Sequence, residues 1–432
     1  MKKLWTNISA VMISKIIRIV LMLISAILVS RYFGPAGKGI FALIATLPIL
    51  IVNLGNLGIT NANIFLVSKE KQDERNIFYN SFWLGLALSV FFVIIFILIL
   101  NTNSKIFFGT LERSYILMIV AITPFVLMES FFQGILTGKK DFKTFNVGQI
   151  ISYSLIVAGV IIGKIFFDLN IYYVVILTSL SLIAPCIIYF FVLLKQFGLK
   201  WHFDLCLLKQ EFVFGFRAYL ASVMTYLILR SDIYLVNYFL EVKDVGLYSV
   251  AVNFSDTLLL IANAVAVVLF PQIIGNLDIG LRTMLKAARL VSLSTFLAVI
   301  VSYVFARPAI NTLFGVKFYE SLPSLYILIP ASFFWALTII MSLYLASKGF
   351  PWITVWIWLP GLMLNILINI IFIPRFGLIV APSASLISYL LTFCLHFYYI
   401  SKYDKIKIRE VMVPYKQELT DAFCYIIKII KN

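Results

Sequence analysis

Twelve apolar runs, each long enough to cross a bilayer as a helix, leave this chain no soluble way to fold. They lie near residues 8–30, 39–66, 77–100, 114–137, 146–167, 172–194, 211–239, 245–274, 284–306, 322–346, 351–373 and 378–400. One crossing takes about 20 apolar residues. With 62% apolar and 12% charged residues among 432, and a mean hydropathy of +1.02, the chain carries more apolar surface than a soluble core could bury. Backbone in hydrocarbon must satisfy its own hydrogen bonds, so the runs predict helices and an all-α polytopic membrane fold with twelve crossings. What remains is too little for a sizeable soluble domain. The opening MKKLWTNISAVMISKIIRIV is basic but lacks a short apolar stretch ending at a small-residue cleavage site, so it reads as a retained first span.

The formal charge of +16, from 35 Lys and Arg against 19 Asp and Glu, would suggest nucleic acid in a soluble chain. Here it reports topology, and no nucleic-acid partner is expected. If the N-terminus is cytoplasmic, the inward segments hold 22 basic residues and the outward ones nine, including Arg31 and Lys38. That excess places both termini in the cytoplasm. The tail, 401–432, alternates basic and apolar residues; its AFCYIIKII segment is either a flat membrane anchor or a solvated basic extension.

Self-comparison shows a duplication. Gly39-Ile-Phe-Ala-Leu matches Gly246-Leu-Tyr-Ser-Val at an offset of 207. Phe108-Gly109 followed by Pro124 matches Phe314-Gly315 followed by Pro330, and Leu136-Thr-Gly-Lys139 falls over Leu345-Ala-Ser-Lys348. Three matches in one order divide the chain into an N-terminal lobe at 1–200, a C-terminal lobe at 201–400 and the basic tail. Two lobes of six helices enter the membrane from the same side, enclose a cleft and lend themselves to alternating access.

An ionisable group at mid-bilayer depth costs at least about 2.5 kcal/mol, so it should face a wet cavity or a partner. Lys15 and Arg18 lie about 10 and 15 Å into span one, at an i, i+3 spacing that shares one face. They are candidates for a cavity-facing site or for an ion pair with another helix. Span seven adds Arg217, and Arg230 with Asp232. Tyr219, Tyr226, Arg230 and Tyr234 form one stripe at helical spacing, suited to sugar rings or a phosphate; the alternative for Arg230 and Asp232 is an interfacial pair. Glu129 in span four and Asp256 in span eight either bind a proton or Na⁺ for coupling or neutralise the arginines. Span two, PILIVNLGNLGITNANIF, joins Pro, Gly and amides in the way a loosened, cavity-lining helix does. Its Asn56 falls on Asn263 of span eight by the offset, and Asn365 with Asn369 makes another amide stripe; amides also glue helices together.

Two histidines in separate segments, four cysteines without CxxC spacing and no P-loop give no basis for a metal, a cofactor or ATP hydrolysis. The outward loops are too short to carry a catalytic site, so a membrane polysaccharide polymerase is the weaker class and no enzyme is expected.

The segments VSRYFGPAGKGIFAL, FQGILTGKKDF, LRSDIYLVNYFLEVKDVGLYSVA and LNILINIIFIPRFGLIVAPSASLIS resemble the polysaccharide-biosynthesis flippases, the O-antigen and capsule exporters of the Wzx type. These lie within the multidrug/oligosaccharidyl-lipid/polysaccharide (MOP) superfamily, and the resemblance covers nearly the whole chain. It implies a bacterial inner-membrane flippase for an undecaprenyl-pyrophosphate-linked oligosaccharide, with two lobes, a cationic cavity and, as protein partners, a polysaccharide polymerase and chain-length proteins. Lys15, Arg18, Arg217 and Arg230 would meet the pyrophosphate, Tyr226, Asn56 and Asn263 would line the cavity, and Asp232, Glu129 and Asp256 would serve ion coupling or charge balance. The rivals are a MATE-type multidrug antiporter, whose cationic ligands Lys15 and Arg18 would repel, and a lipid II flippase, which generally has two more helices. A major facilitator transporter is a third, but its Gly-Asp-Arg-rich loop is absent from VSKEKQDERNIFYN.

Overall fold

The computed structural model describes residues 2–68, 74–102, 111–167, 170–198, 200, 202–273, 277–348 and 352–415, with side chains from Ile17 onward except at a few helical positions that include Arg217. Among them every regular element is a helix. In order these are α1 (Lys2–Gly55), α2 (Ile59–Ser68), α3 (Glu74–Thr102), α4 (Arg113–Gly138), α5 (Phe142–Phe166), α6 (Ile171–Phe197) and α7 (Leu205–Phe239). Then come α8 (Val242–Ile273), α9 (Leu277–Leu313), α10 (Leu322–Ser347), α11 (Ile353–Trp356), α12 (Trp358–Phe376), α13 (Val380–Asp404) and α14 (Ile408–Met412).

Ten apolar segments among the described residues are long enough to cross a membrane. Two of them, Ile17–Gly55 with 39 residues and Ile353–Asp404 with 52, far exceed one crossing, and each holds two of the predicted runs. The first is broken at Gly34, where φ 66° and ψ −165° leave the helix just before Pro35; a side chain at that φ would be strained. The second turns at Gly377. Phe91, Leu98, Ile165, Phe166 and Val304 are each more than half exposed, which in this setting means contact with lipid.

By contact the chain forms two compact units, Met1–Ser249 with Thr312–Phe318, and Val250–Asn311 with Tyr319–Asn432. Contacts thus keep α7 with the first helices, so this boundary at Ser249 differs from the repeat boundary near residue 200.

In the first unit, Phe78, Phe132, Tyr189 and Leu193 center a core shared by α2, α3, α4 and α6. The loosened span two is real in its chemistry. α1 ends at Gly55, Leu57 and Gly58 take positive φ, and the Asn56 side-chain oxygen accepts from the Gly58 N–H at 2.8 Å before α2 begins. Gly58 meets Gly215 of α7 backbone to backbone, a Cβ on Gly58 falling 2.8 Å from the Gly215 carbonyl carbon. A second crossing joins the two copies of the duplicated segment: a side chain on Gly39 would strike the Val242 carbonyl, and one on Gly246 the Pro35 carbonyl. Pro35 and Val242 are themselves 207 apart, so the contact is reciprocal, as it would be about a local two-fold. Arg31 donates to the Thr312 carbonyl and, at 2.8 Å, to that of Leu313, placing a cation where the α9 dipole is negative.

In the second unit α10, α12 and α13 pack through Trp335, Trp358 and Tyr389, with Trp335–Tyr389 ring centroids 4.6 Å apart. Asn365 and Asn369 are fully buried; Asn365 Nδ2 donates to Ser388 Oγ at 3.3 Å and Asn369 Nδ2 to the Asn365 carbonyl at 2.9 Å, so this amide stripe glues α12 to α13. The described part of the tail, through Tyr415, packs against the second unit. Arg289 Nη1 donates to the Glu410 carbonyl at 2.8 Å, Ser292 Oγ to that of Met412 at 2.9 Å, and Val411 is buried, which docks α14 on α9. AFCYIIKII lies outside the described residues.

Candidate functional site

Arg18 sits half-buried on α1 with its guanidinium carbon 6.0 Å from the Phe145 ring centroid. Across from it, Glu129 of α4 accepts from Gln149 Nε2 of α5 at 3.2 Å. Arg18 and Glu129 both lie within electrostatic range of Tyr153 and Tyr189. Tyr189 of α6 rests on Gly148 and donates to the Phe145 carbonyl at 2.8 Å. Four helices of one unit thus bring a guanidinium, a carboxylate, an amide and two phenols into one neighbourhood. Among the described residues no ion pair joins Arg18 to Glu129, whose carboxylate is held by the Gln149 amide. Phe145, Gln149 and Tyr153 recur every four residues on one face of α5, a polar-aromatic stripe at helical spacing.

The tyrosine stripe of α7 turns toward α1. Tyr226 and Tyr234 share a hydroxyl contact of 2.8 Å, and Tyr234 donates to the Thr46 carbonyl at 3.0 Å with Tyr226 at 3.4 Å from the same oxygen. Tyr219 donates to the Leu54 carbonyl. That carbonyl is available because the Gly58 N–H, its helical partner, is taken by Asn56. These hydroxyls therefore bind helix to helix. Arg230, half-buried between the two phenols, acts electrostatically on both. Asp232, 1% exposed, accepts from the Tyr248 hydroxyl of α8 and from the Ile233 N–H, so it serves an interhelical contact.

Asn56 and Asn263 share an offset but not a role, since Asn56 caps a helix break whereas Asn263 is exposed on α8. Asn263 and the half-buried Asp256 belong to the second unit. The side chains of Lys15 and Arg217 fall outside the described residues. Two ionisable groups escaped sequence reasoning. Lys38, counted with the outward loops, is 2% exposed, because the helix resumes past Gly34 and carries it into the packed crossing at Gly39; its ammonium lies 4.9 Å from the Phe41 centroid, with no ion pair among the described residues. Glu211, at the start of α7, is fully buried.

A family model described as polysaccharide biosynthesis protein matches residues 4–275. The probable low-salt glycan biosynthesis flippase Agl15 of Haloferax volcanii is 23% identical over 197 residues, 44% of this chain and 41% of that protein. An uncharacterized membrane protein of Methanocaldococcus jannaschii is 26% identical over 319 residues, 69% of this chain. The chain spans 41% and 62% of the lengths of these two relatives. Among solved structures, the lipid II flippase MurJ in an inward closed conformation superposes with a TM-score of 0.77 at 15% identity, covering 98% of this chain and 93% of that one. An outward-facing multidrug resistance MATE family transporter of the MOP superfamily gives 0.65 at 16%, covering 92% and 95%. At such identities these two share the fold. The match over more than half of the sequence goes further: the chain belongs to the polysaccharide biosynthesis protein family.

Proposed function

We propose that the protein is a flippase that carries a polyprenyl-pyrophosphate-linked oligosaccharide, undecaprenyl-linked in a bacterial inner membrane, from the cytoplasmic to the outer leaflet for surface polysaccharide assembly. The observation that carries this reading is Arg18: a half-buried guanidinium in a membrane helix, set against an aromatic ring and with no carboxylate ion-paired to it among the described residues. Such a group calls for an anionic partner, and a pyrophosphate supplies oxygens that a guanidinium can bind in pairs. The sugar would meet the phenols and amides nearby while the polyprenyl chain stays in lipid. Lys15, Arg217 and Arg230 extend the cationic surface, with the Tyr226 phenol within electrostatic range of Arg230. Glu129, held by Gln149, is the carboxylate best placed for proton or Na⁺ coupling, with Asp256 and Asp232 balancing charge. The two repeats at 1–200 and 201–400 rock about their shared axis, both termini are cytoplasmic, and a polysaccharide polymerase and chain-length proteins receive the product. The protein catalyses no covalent step in this scheme.

The test is Arg18→Ala, with Arg18→Glu beside it, in a strain whose surface polysaccharide depends on this gene. Surface polymer is expected to fall at least tenfold with the protein still in the membrane. Normal display would remove Arg18 from the site, and hypersensitivity of a deletion strain to cationic dyes would favour a multidrug extruder.

A further inference from the structure

One face of α7 carries Leu207, Glu211, Gly215 and Tyr219, each four residues from the next. Three of the four are locked to neighbours in the same unit. Leu207 joins the core with Leu66 and Val67 of α2, Gly215 touches the Gly58 backbone, and Tyr219 donates to the Leu54 carbonyl. Glu211 lies between these contacts with 0% exposure, and neither of its carboxylate oxygens has a hydrogen-bond partner.

Among the described residues no cation stands opposite; the side chain of Arg217 lies outside them. α2, with the sequence ITNANIFLVS, has no titratable side chain. From α3, Asn80 exchanges hydrogen bonds of 2.9 and 2.8 Å with the Asp204 backbone, and Tyr79 donates to the Phe197 carbonyl. His202 is exposed with its ring against Tyr79, and Lys209 is exposed on α7 itself. Among the described residues the charged group that acts on Glu211 is Asp204, an acid already engaged as the N-cap of α7. Glu211 opens the predicted crossing at 211–239. Removal from water, with the acid Asp204 nearby, favours its neutral form.

We propose that Glu211 is a proton-binding group that latches α7 to α2 when neutral and separates them when ionised. The reason is desolvation: a buried carboxylate with no donor and no counterion is far costlier than the neutral acid, and water reaches it only if the helices part. In the topology proposed above, which this inference adopts, the latch closes the cytoplasmic end through which a headgroup must enter. The closed form binds the extra proton, so its stability is full at low pH and declines as pH rises toward the closed-state value.

The experiment is hydrogen exchange on the full chain in lipid nanodiscs, corrected for intrinsic rates, without substrate. Between about pH 5 and 8 the opening of segments 56–66 and 207–219 should grow by up to tenfold per pH unit. Glu211→Gln should stay protected with a flat profile, and Glu211→Asp should restore the slope. A flat profile in the unsubstituted protein, or the same slope in Glu211→Gln, overturns the assignment. Because no glycolipid is present, failure of the flippase reading would leave this result standing, and the reverse holds too.

Discussion

Lys38 shows how a single residue can hold more free energy than its neighbours return. Its ammonium is removed from water and faces a ring at 4.9 Å, a favourable contact that a desolvated cation strengthens to about 2 kcal/mol. Desolvation of a charge with no ion pair among the described residues costs more than that. Replacing it by methionine keeps the length of the stem and removes the charge, so Lys38→Met should raise thermal stability by about 1–3 kcal/mol, read as a higher melting temperature in detergent. A lower one would mean that the ammonium has an anionic partner. Lys38 and Glu211 were invisible in the sequence for one reason: whether a charge near a helix end is solvated depends on which backbone crosses over it. Arg18 was visible, because its depth follows from helical rise alone. The tyrosine stripe was half visible; spacing gave the shared face, while only the neighbouring helix could reveal the carbonyls of Thr46 and Leu54 as its partners.

At the level of elements, the helices follow from the apolar runs, and their breaks from Gly34, Pro35 and the amide-rich stretch near Asn56. What the runs do not specify is where helices touch. The reciprocal crossing of Pro35–Gly39 with Val242–Gly246 leaves no space for a β-carbon at either glycine, and the obstacle is backbone, which cannot swing aside as a side chain can. Gly246→Ala and Gly39→Ala should therefore each destabilise the protein by about 1–3 kcal/mol, seen as a lower melting temperature and faster proteolysis. Unchanged stability in both would show that the crossing opens readily. The duplication in the sequence pointed to these two glycines as equivalents, but not to their meeting.

For the whole molecule, the family and the helical membrane fold follow from pattern and resemblance, whereas the cargo depends on side-chain chemistry that those patterns do not encode. Proteoliposomes supply the discriminating measurement. With a fluorescent polyprenyl-pyrophosphate oligosaccharide, the purified protein should move label between leaflets at least about tenfold faster than protein-free vesicles, and excess water-soluble pyrophosphate should slow it. Transport of an organic cation instead would overturn the anionic cargo proposed above.

The docking of α14 on α9 also bears on how the molecule is made. Arg289 donates to a carbonyl 121 residues further along, and its guanidinium lies 4.5 Å from the Tyr415 ring centroid. Those contacts come into being only after the ribosome has released the chain through Tyr415. Until then α9 waits at the translocon with part of its polar surface uncovered, so a chain stopped at Asp404 would be an early target for membrane quality-control proteases.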